Sequence, residues 1–249
     1  MIPKAKSKFI KSLQIKKYRK QEQCFVVEGK KSVAELIRSE YEVVSLLATR
    51  EFLAYQRGQG KNIAEVLEVD VDDLTGLGEF KTNDGALAIA RMKPNVPLEP
   101  GVNEWVLVVD DIRDPGNLGT IIRTADWYGV SKIIASEQTA ELYNPKVISA
   151  TMGSFLRVSL YYTSLPEFLS RSASGIAGAF LDGDDIHHCS FEAGGLLVIG
   201  NESRGISEDV ARLVTQRITI PKYGRAESLN AGIATAVILD NLRRNQRKV

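Results

Sequence analysis

Along the first ninety residues, apolar positions gather in short runs. FVVEG (25–29), VVSLLAT (43–49) and ALAIA (86–90) predict strands, and KKSVAELIRSE (30–40) predicts a helix with Val33, Ala34, Leu36 and Ile37 on one side. NIAEVLEVDVDDLTGLG adds further short elements, so this part is expected to be a small α/β domain. MKPNVPLEPGVNE (92–104) has no periodicity and holds three of the chain's eight prolines, as a linker does. Beyond it the pattern alternates. Strands are predicted at 105–110, 132–136, 176–181, 196–200 and 217–220, and helices near 118–129, 144–150, 165–172, 207–214 and 228–244. Such alternation predicts a largely parallel sheet covered by helices on both faces. Ligands of such sheets sit outside the carboxyl ends of the strands, so the residues just after each strand are the candidates for chemistry.

Three of these strand ends are polar and rich in glycine. WVLVVD (105–110) runs into DIRDPGNLGTIIRTADWYGV, where Asn117 is expected to cap a helix. Gly119 leaves the backbone open to close approach, and Arg123 follows six residues after Asn117, about 9 Å along the helix axis. LLVIG (196–200) is followed at once by Asn201, Glu202, Ser203, Arg204 and Gly205. RITI (217–220) leads through Pro221 and a glycine-containing loop to Ser228, Leu229 and Asn230. These last three are expected in the first turn of a long helix, with Leu229, Ile233, Ala236, Val237 and Leu239 or Asp240 on its buried side. Free N–H groups and the positive dipole end at such a turn favour anions and polar ligands. Taken singly, the first and third clusters are also what ordinary helix capping produces, and the second what a β-turn with a solvated acid produces.

Composition narrows the classes. The chain has 249 residues, 44% hydrophobic and 25% charged, as in a globular protein. Its longest apolar runs fall far short of the ~20 residues that span a bilayer. MIPKAKSKFIKS lacks the apolar core of a secretory signal. The two cysteines, Cys24 and Cys189, form no C-x-x-C, which fits a reducing cytoplasm and argues against a cysteine zinc site. No metal is expected. Net charge is only +1, yet residues 1–20 hold eight Lys and Arg and no acid, and LRRNQRKV adds Arg243, Arg244, Arg247 and Lys248. Basic ends on a balanced body suit phosphate-backbone contact and equally read as solvated, solubilising termini; Lys11, Lys16, Lys17, Arg19 and Lys20 are the candidate nucleic-acid contacts.

N-L-G-T-I-I-R (117–123), I-G-N-E-S-R-G-I (199–206) and I-P-K-Y-G-R-A-E-S-L-N-A-G-I-A-T-A (220–236), in this order and spacing, resemble the three signature motifs of the SpoU (TrmH) family. Members are S-adenosylmethionine-dependent RNA ribose 2′-O-methyltransferases of the SPOUT superfamily. FVVEGKKSVAELI resembles the ribosomal-protein-like substrate-binding domain common in that family. The resemblance implies an RNA-binding domain over 1–94, a linker over 95–103 and a methyltransferase domain over 104–249. It implies a parallel sheet closed as a trefoil knot, and a homodimer. Gly200, Ile220 and Leu229 would bind the cofactor through backbone groups, with Gly205 in the same loop and Thr151 as a further contact. Asn117, Arg123, Glu202, Ser228 and Asn230 match the catalytic and RNA-binding positions. The substrate is expected to be ribosomal rather than transfer RNA.

The third motif departs from the family at A-G-I-A (231–234), where V-S-V-A is common. Gly232 there costs roughly 1 kcal/mol of helix propensity and points to tight packing or cofactor approach. Two rival readings remain. D-P-G-N-L-G, with Glu137 about 20 residues after Gly116, half-matches a dinucleotide-binding fingerprint, but Asp114 stands at the first glycine position. Alternatively, the fold is a non-catalytic RNA-binding dimer platform.

Overall fold

The computed structural model describes residues 2–56, 63–79, 82–83 and 85–246. Arg247 and Lys248, counted above in the basic end, lie outside the described residues. The chain forms two compact units. One comprises residues 1–94 and 142–156, the other 95–141 and 157–249. Segment 142–156 thus leaves the span expected for the second domain and packs with the first.

In chain order the first unit contains α1 (Lys4–Ser12), α2 (Lys16–Glu22), β1 (Cys24–Glu28), α3 (Lys30–Arg38), β2 (Val43–Ala48), α4 (Arg50–Gln56), β3 (Glu65–Glu68), α5 (Val71–Thr75) and β4 (Ala86–Arg91). The strands form one mixed sheet in the order β1-β4-β2-β3. α3 buries Val33, Ala34, Leu36 and Ile37, the stripe expected from its periodicity. Ile10 and Leu13, at the end of α1 and just past it, enter a core with Cys24, Val26, Leu47 and Leu87. Phe25, Tyr41, Tyr143 and Phe155 stack in edge and tilted pairs at 4.6–5.9 Å. Through two of these rings the segment 142–156, which carries α7 (Pro145–Thr151) and a 3-10 turn at Ser154–Leu156, is tied to this unit.

The second unit holds β5 (Trp105–Val109), α6 (Pro115–Trp127), β6 (Lys132–Ser136), β7 (Ser159–Thr163), α8 (Leu165–Ser170), β8 (Ile176–Asp185), β9 (Gly195–Ile199), α9 (Glu208–Ala211), β10 (Gln216–Thr219) and α10 (Ala231–Gln246). Its six strands are all parallel, in the order β10-β8-β9-β5-β6-β7. β5 and β9 are buried along their whole length, as unbroken apolar runs in parallel sheets are. Strand order reverses beside β5, where such folds are expected to open a crevice; the cavity found lies at the carboxyl ends of the neighbouring strands β8, β9 and β10.

The elements differ from the pattern-based reading in several places: α6 begins at Pro115 and α9 ends at Ala211. β7 escapes it because SLYYT is an edge strand, half-buried and without a strong apolar run. β8 extends to Asp185 through FLDGDD, a polar tail held by β10 across a register shift at Arg217/Ile218. α10 begins at Ala231 rather than Ser228. Its buried positions are Ala231, Thr235, Ile238, Leu239 and Leu242, whereas Leu229 and Ile233 are about half exposed. The stripe is therefore rotated from the one expected, set by the packing of α10 on its neighbours, of which α6 is one.

Candidate active site

The turn after β5 is built by Asp114, not Asn117. Asp114 is the N-cap of α6, its Oδ1 accepting from the Asn117 amide at 2.8 Å, and Pro115 opens the helix. A carboxylate thus fills the anion site that a helix N-terminus offers, which closes this turn to a pyrophosphate and with it the dinucleotide reading. Asn117, released from capping, turns its carboxamide to the later loops. Its Nδ2 donates to Glu202 Oε1. Its Oδ1 accepts from Asn230 Nδ2 at 2.7 Å. One residue from each of the three sequence clusters is thereby joined in a single hydrogen-bonded chain.

Asn230 is itself held by the helix it caps. Its Oδ1 accepts from the Gly232 amide at 3.0 Å and the Ile233 amide at 3.3 Å. Ser228 and Leu229 accordingly precede the helix rather than lying in its first turn. The reason for Gly232 is packing: a Cβ there would stand 2.7 Å from Thr120 Cγ2 on α6. The missing side chain lets α10 approach α6 at the level where Asn117 and Asn230 meet.

The second loop is tied to β5 from below. Asn201 Nδ2 donates to the Asp111 carbonyl at 2.8 Å, and its Oδ1 accepts from the Ser203 and Arg204 amides at 2.9 and 3.2 Å. Asn201 and Gly205 exchange both backbone hydrogen bonds, at 3.0 and 2.8 Å. Gly205 has φ +70°, and a Cβ on Gly200 would stand 2.3 Å from the Gly205 carbonyl carbon. Buried Asp110 accepts from the Ser207 amide at 2.8 Å. Asp110, Asp111 and Asn201 therefore shape the loop, and of the three the strand-end pattern singled out only Asn201. The signal available was a pair of acids at the end of a buried strand, where an unpaired carboxylate is costly.

A cavity of about 530 Å3 lies over the ends of β8, β9 and β10, within the size range of small-molecule sites. Gly200, Glu202, Gly205, Ile220, Ser228 and Leu229, all expected at the site, line it. Ile199, Ile206, Ile218 and Ile238 give it an apolar floor, and Asp182, Glu202 and Glu227 contribute carboxylates. Residues 220–229 make no backbone–backbone hydrogen bond among the described residues, so their N–H and C=O groups are open to a bound molecule. Arg123 is exposed on α6 and makes no hydrogen bond or ion pair among the described residues.

Two further expected site residues are buried within the first unit. Thr151 belongs to the first unit and is fully buried, its hydroxyl donating to the Ile148 carbonyl at 2.7 Å within its own helix. Arg19 is only 1% exposed. Its Nη1 donates to the Leu13 and Gln14 carbonyls at 2.9 and 2.8 Å, which withdraws it from the set facing RNA. Lys11, Lys16, Lys17 and Lys20 are exposed. Burial raises the thiol pKa of both Cys24 and Cys189, consistent with packing roles. Among the described residues no group of three or more His, Cys, Asp or Glu is placed to hold a metal ion, and no helix is long and apolar enough to cross a membrane.

Comparison with known proteins bears on the same residues. The family model described as the SpoU rRNA Methylase family matches residues 104–240, and that of the MRM3-like substrate binding domain matches residues 4–88. The chain is 28% identical over 244 residues, 94% of each protein, to the 23S rRNA (guanosine(2553)-2′-O)-methyltransferase RlmP of Bacillus subtilis. It is 28% identical over 231 residues to the 23S rRNA (guanosine-2′-O-)-methyltransferase RlmB of Neisseria meningitidis, covering 88% of this chain and 90% of that one. A solved structure of a TrmH-family protein from Porphyromonas gingivalis superposes with a TM-score of 0.86 at 36% identity, over 98% of this chain and 99% of the other. An rRNA methyltransferase from Sinorhizobium meliloti, solved with S-adenosylmethionine bound, superposes at 0.85 with 29% identity, over 98% and 96%. The matched span takes in the parallel sheet, both glycine loops of the cavity and the Asn230–Asn117–Glu202 chain, and on that footing the protein belongs to the SpoU rRNA methylase family.

Proposed function

We infer that the chain transfers a methyl group from S-adenosylmethionine to a ribose 2′-hydroxyl of ribosomal RNA. The observation that carries this reading is the hydrogen-bonded chain Asn230–Asn117–Glu202 at the edge of a cavity of suitable size. The cavity's residues fit the cofactor. Its isoleucines suit an adenine ring, and the open backbone of 220–229 can satisfy the polar edge of the base and the ribose. Gly200, Gly205, Ile220 and Leu229 would hold it. When bound, S-adenosylmethionine supplies an activated methyl group.

The protein's own task is then to present the 2′-hydroxyl and to stabilise the charge that develops as it loses its proton. Arg123 would meet the ribose or its neighbouring phosphate. A guanidinium keeps its proton in proteins, so this arginine acts as a cation and not as a base. Glu202 and Asn117 would orient the substrate side, while Ser228 and Asn230 would order the cofactor loop. Residues 1–94 would bind RNA and 104–249 carry the transfer, joined by 95–103. Support for ribosomal over transfer RNA comes from the named relatives. A trefoil knot, a homodimer and a cytoplasmic location complete the reading, the dimer being open to test by sedimentation.

Ribose-methylation mapping of total RNA from cells with and without the gene is the direct test. One 2′-O-methyl mark in ribosomal RNA should vanish, and no change in any mark would refute the reading. Arg123→Ala should titrate with S-adenosylmethionine like the wild type yet lose turnover by a hundredfold or more. Full turnover would remove Arg123 from the assignment.

A further inference from the structure

The corner between α1 and α2 in the first unit is anchored from within and decorated from without. Ile10 and Leu13 are buried in the core. Arg19 reaches back beneath the corner to the Leu13 and Gln14 carbonyls, two acceptors that the end of a helix leaves without intrahelical partners. α2 is therefore fixed, although seven residues are too few for a stable helix alone. Its outer surface shows Tyr18, 37% exposed, beside Ile15, 54% exposed. Lys11, Lys16, Lys17 and Lys20, close by in the chain, are all exposed. The Lys17 ammonium stands 5.9 Å from the centre of the Tyr18 ring.

Solvated lysines alone would need no explanation. An aromatic ring and an isoleucine left open among them do, because apolar area in water is unfavourable and the anchoring by Arg19 keeps both from retreating. An exposed aromatic plane with an ammonium over it, on a segment rich in exposed lysines, matches one partner class closely: unpaired nucleotides, whose bases stack on the ring while their phosphates meet the ammonium groups. Duplex RNA offers phosphates but no free base face.

We propose that Tyr18, with Ile15, is a stacking platform for an unpaired base of the RNA substrate, framed by Lys11, Lys16, Lys17 and Lys20. This deepens the reading above by naming a recognition element in the first unit, and it rests on that reading for the identity of the substrate as RNA. Tyr18 is a positioning residue here; it touches RNA away from the reacting atoms.

The test uses the full chain, an in vitro-transcribed 23S rRNA as methyl acceptor, and a fluorescein-labelled single-stranded RNA 12-mer against the same sequence as a duplex. Tyr18→Ala should raise KM for the transcript roughly tenfold, with the loss in KM rather than kcat, and abolish the preference for the single strand. Tyr18→Phe should restore both, since stacking needs the ring and not the hydroxyl. Tyr55→Ala, at an exposed tyrosine of α4, should behave as the wild type. The salt dependence of binding should be unchanged in Tyr18→Ala and shallower in Lys17→Gln, because only the lysine displaces counterions. Equal binding by Tyr18→Ala and wild type would overturn the proposal. So would failure of Tyr18→Phe to rescue, and so would altered sedimentation of Tyr18→Ala in the absence of RNA, which would make the patch a protein interface. If the wild type methylates no transcript but still binds the single strand through Tyr18, the catalytic reading fails and the platform stands.

Discussion

Gly200→Ala is the substitution whose effect the geometry defines most sharply. The new Cβ would lie 2.3 Å from the Gly205 carbonyl carbon and 2.4 Å from the Ile206 nitrogen. Both neighbours are main chain, so no side-chain rotation relieves the contact. A main-chain overlap this short exceeds ordinary overpacking, so keeping the loop closed costs more than the ~3 kcal/mol at the top of that range. Opening it gives up the two Asn201–Gly205 hydrogen bonds, about 1 kcal/mol each. Opening is therefore the cheaper response, at about 2 kcal/mol. For a unit of this size that is a fall of about 4–8 °C in Tm. Closing the loop on the cofactor then costs the difference between the two, at least about 1 kcal/mol, which weakens binding by about fivefold or more. Gly205→Ala meets no atom within 4 Å but must hold φ +70°. A left-handed residue with a side chain costs about 1 kcal/mol, or about fivefold in affinity. Gly224→Ala has open space and no such φ and should match the wild type. Isothermal titration with S-adenosylmethionine and calorimetric melting of the four proteins should rank the losses as Gly200→Ala, then Gly205→Ala, then Gly224→Ala. Titration and melting curves for Gly200→Ala that coincide with those for Gly224→Ala would refute this account of the loop.

Two further outcomes follow from local contacts. Asp114→Ala should lower stability by about 1 kcal/mol through loss of the N-cap, while Asp114→Asn, which caps equally well, should not; equal melting of all three proteins would contradict the capping role. Burial pushes the Glu104 carboxyl up, but the Lys132 ammonium, the Gly101 amide and the Ser131 hydroxyl together bring it below the usual glutamate range. A depressed carboxylate contributes stability above its unfolded value, near 4.5, and loses it as pH falls through the folded value. The stability gap between wild type and Glu104→Gln should thus be open at neutral pH and close in acid, and a gap that persists unchanged in acid melting scans would exclude the ion pair as its source.

Much of the second unit was legible because parallel strands buried on both faces write themselves as unbroken apolar runs. WVLVV and GLLVI are such runs, and both are strands of five fully buried residues. The half-buried edge strand β7 carries no equivalent mark, and neither does the polar end of β8, whose extended form is imposed by its partner across the sheet. Helix starts were misread for a different reason. Asp114, Asn117, Ser228 and Asn230 are all residues that cap, and local sequence does not decide among neighbours of equal propensity. The choice is made by what each side chain can reach in the folded chain.

That choice also explains why the site residues were recognisable as a set while their contacts were not. Asn117 meets Glu202 85 residues away and Asn230 113 residues away, and Asn201 meets Asp111 across 90. Separations of this kind carry no periodic signal. What remains readable locally is each partner's need for a polar turn with a glycine at the end of a buried strand. Asn117 could serve this network only because Asp114 took over the capping of α6. The acid that breaks a dinucleotide fingerprint is therefore the residue that frees the asparagine for the site. Gly232 has the corresponding place on α10. Its cost in helix propensity is offset by the approach to Thr120, which brings the Asn230 carboxamide within reach of Asn117. The two departures from familiar motifs, Asp114 and Gly232, thus lie on either side of one hydrogen bond, and both are requirements of its geometry.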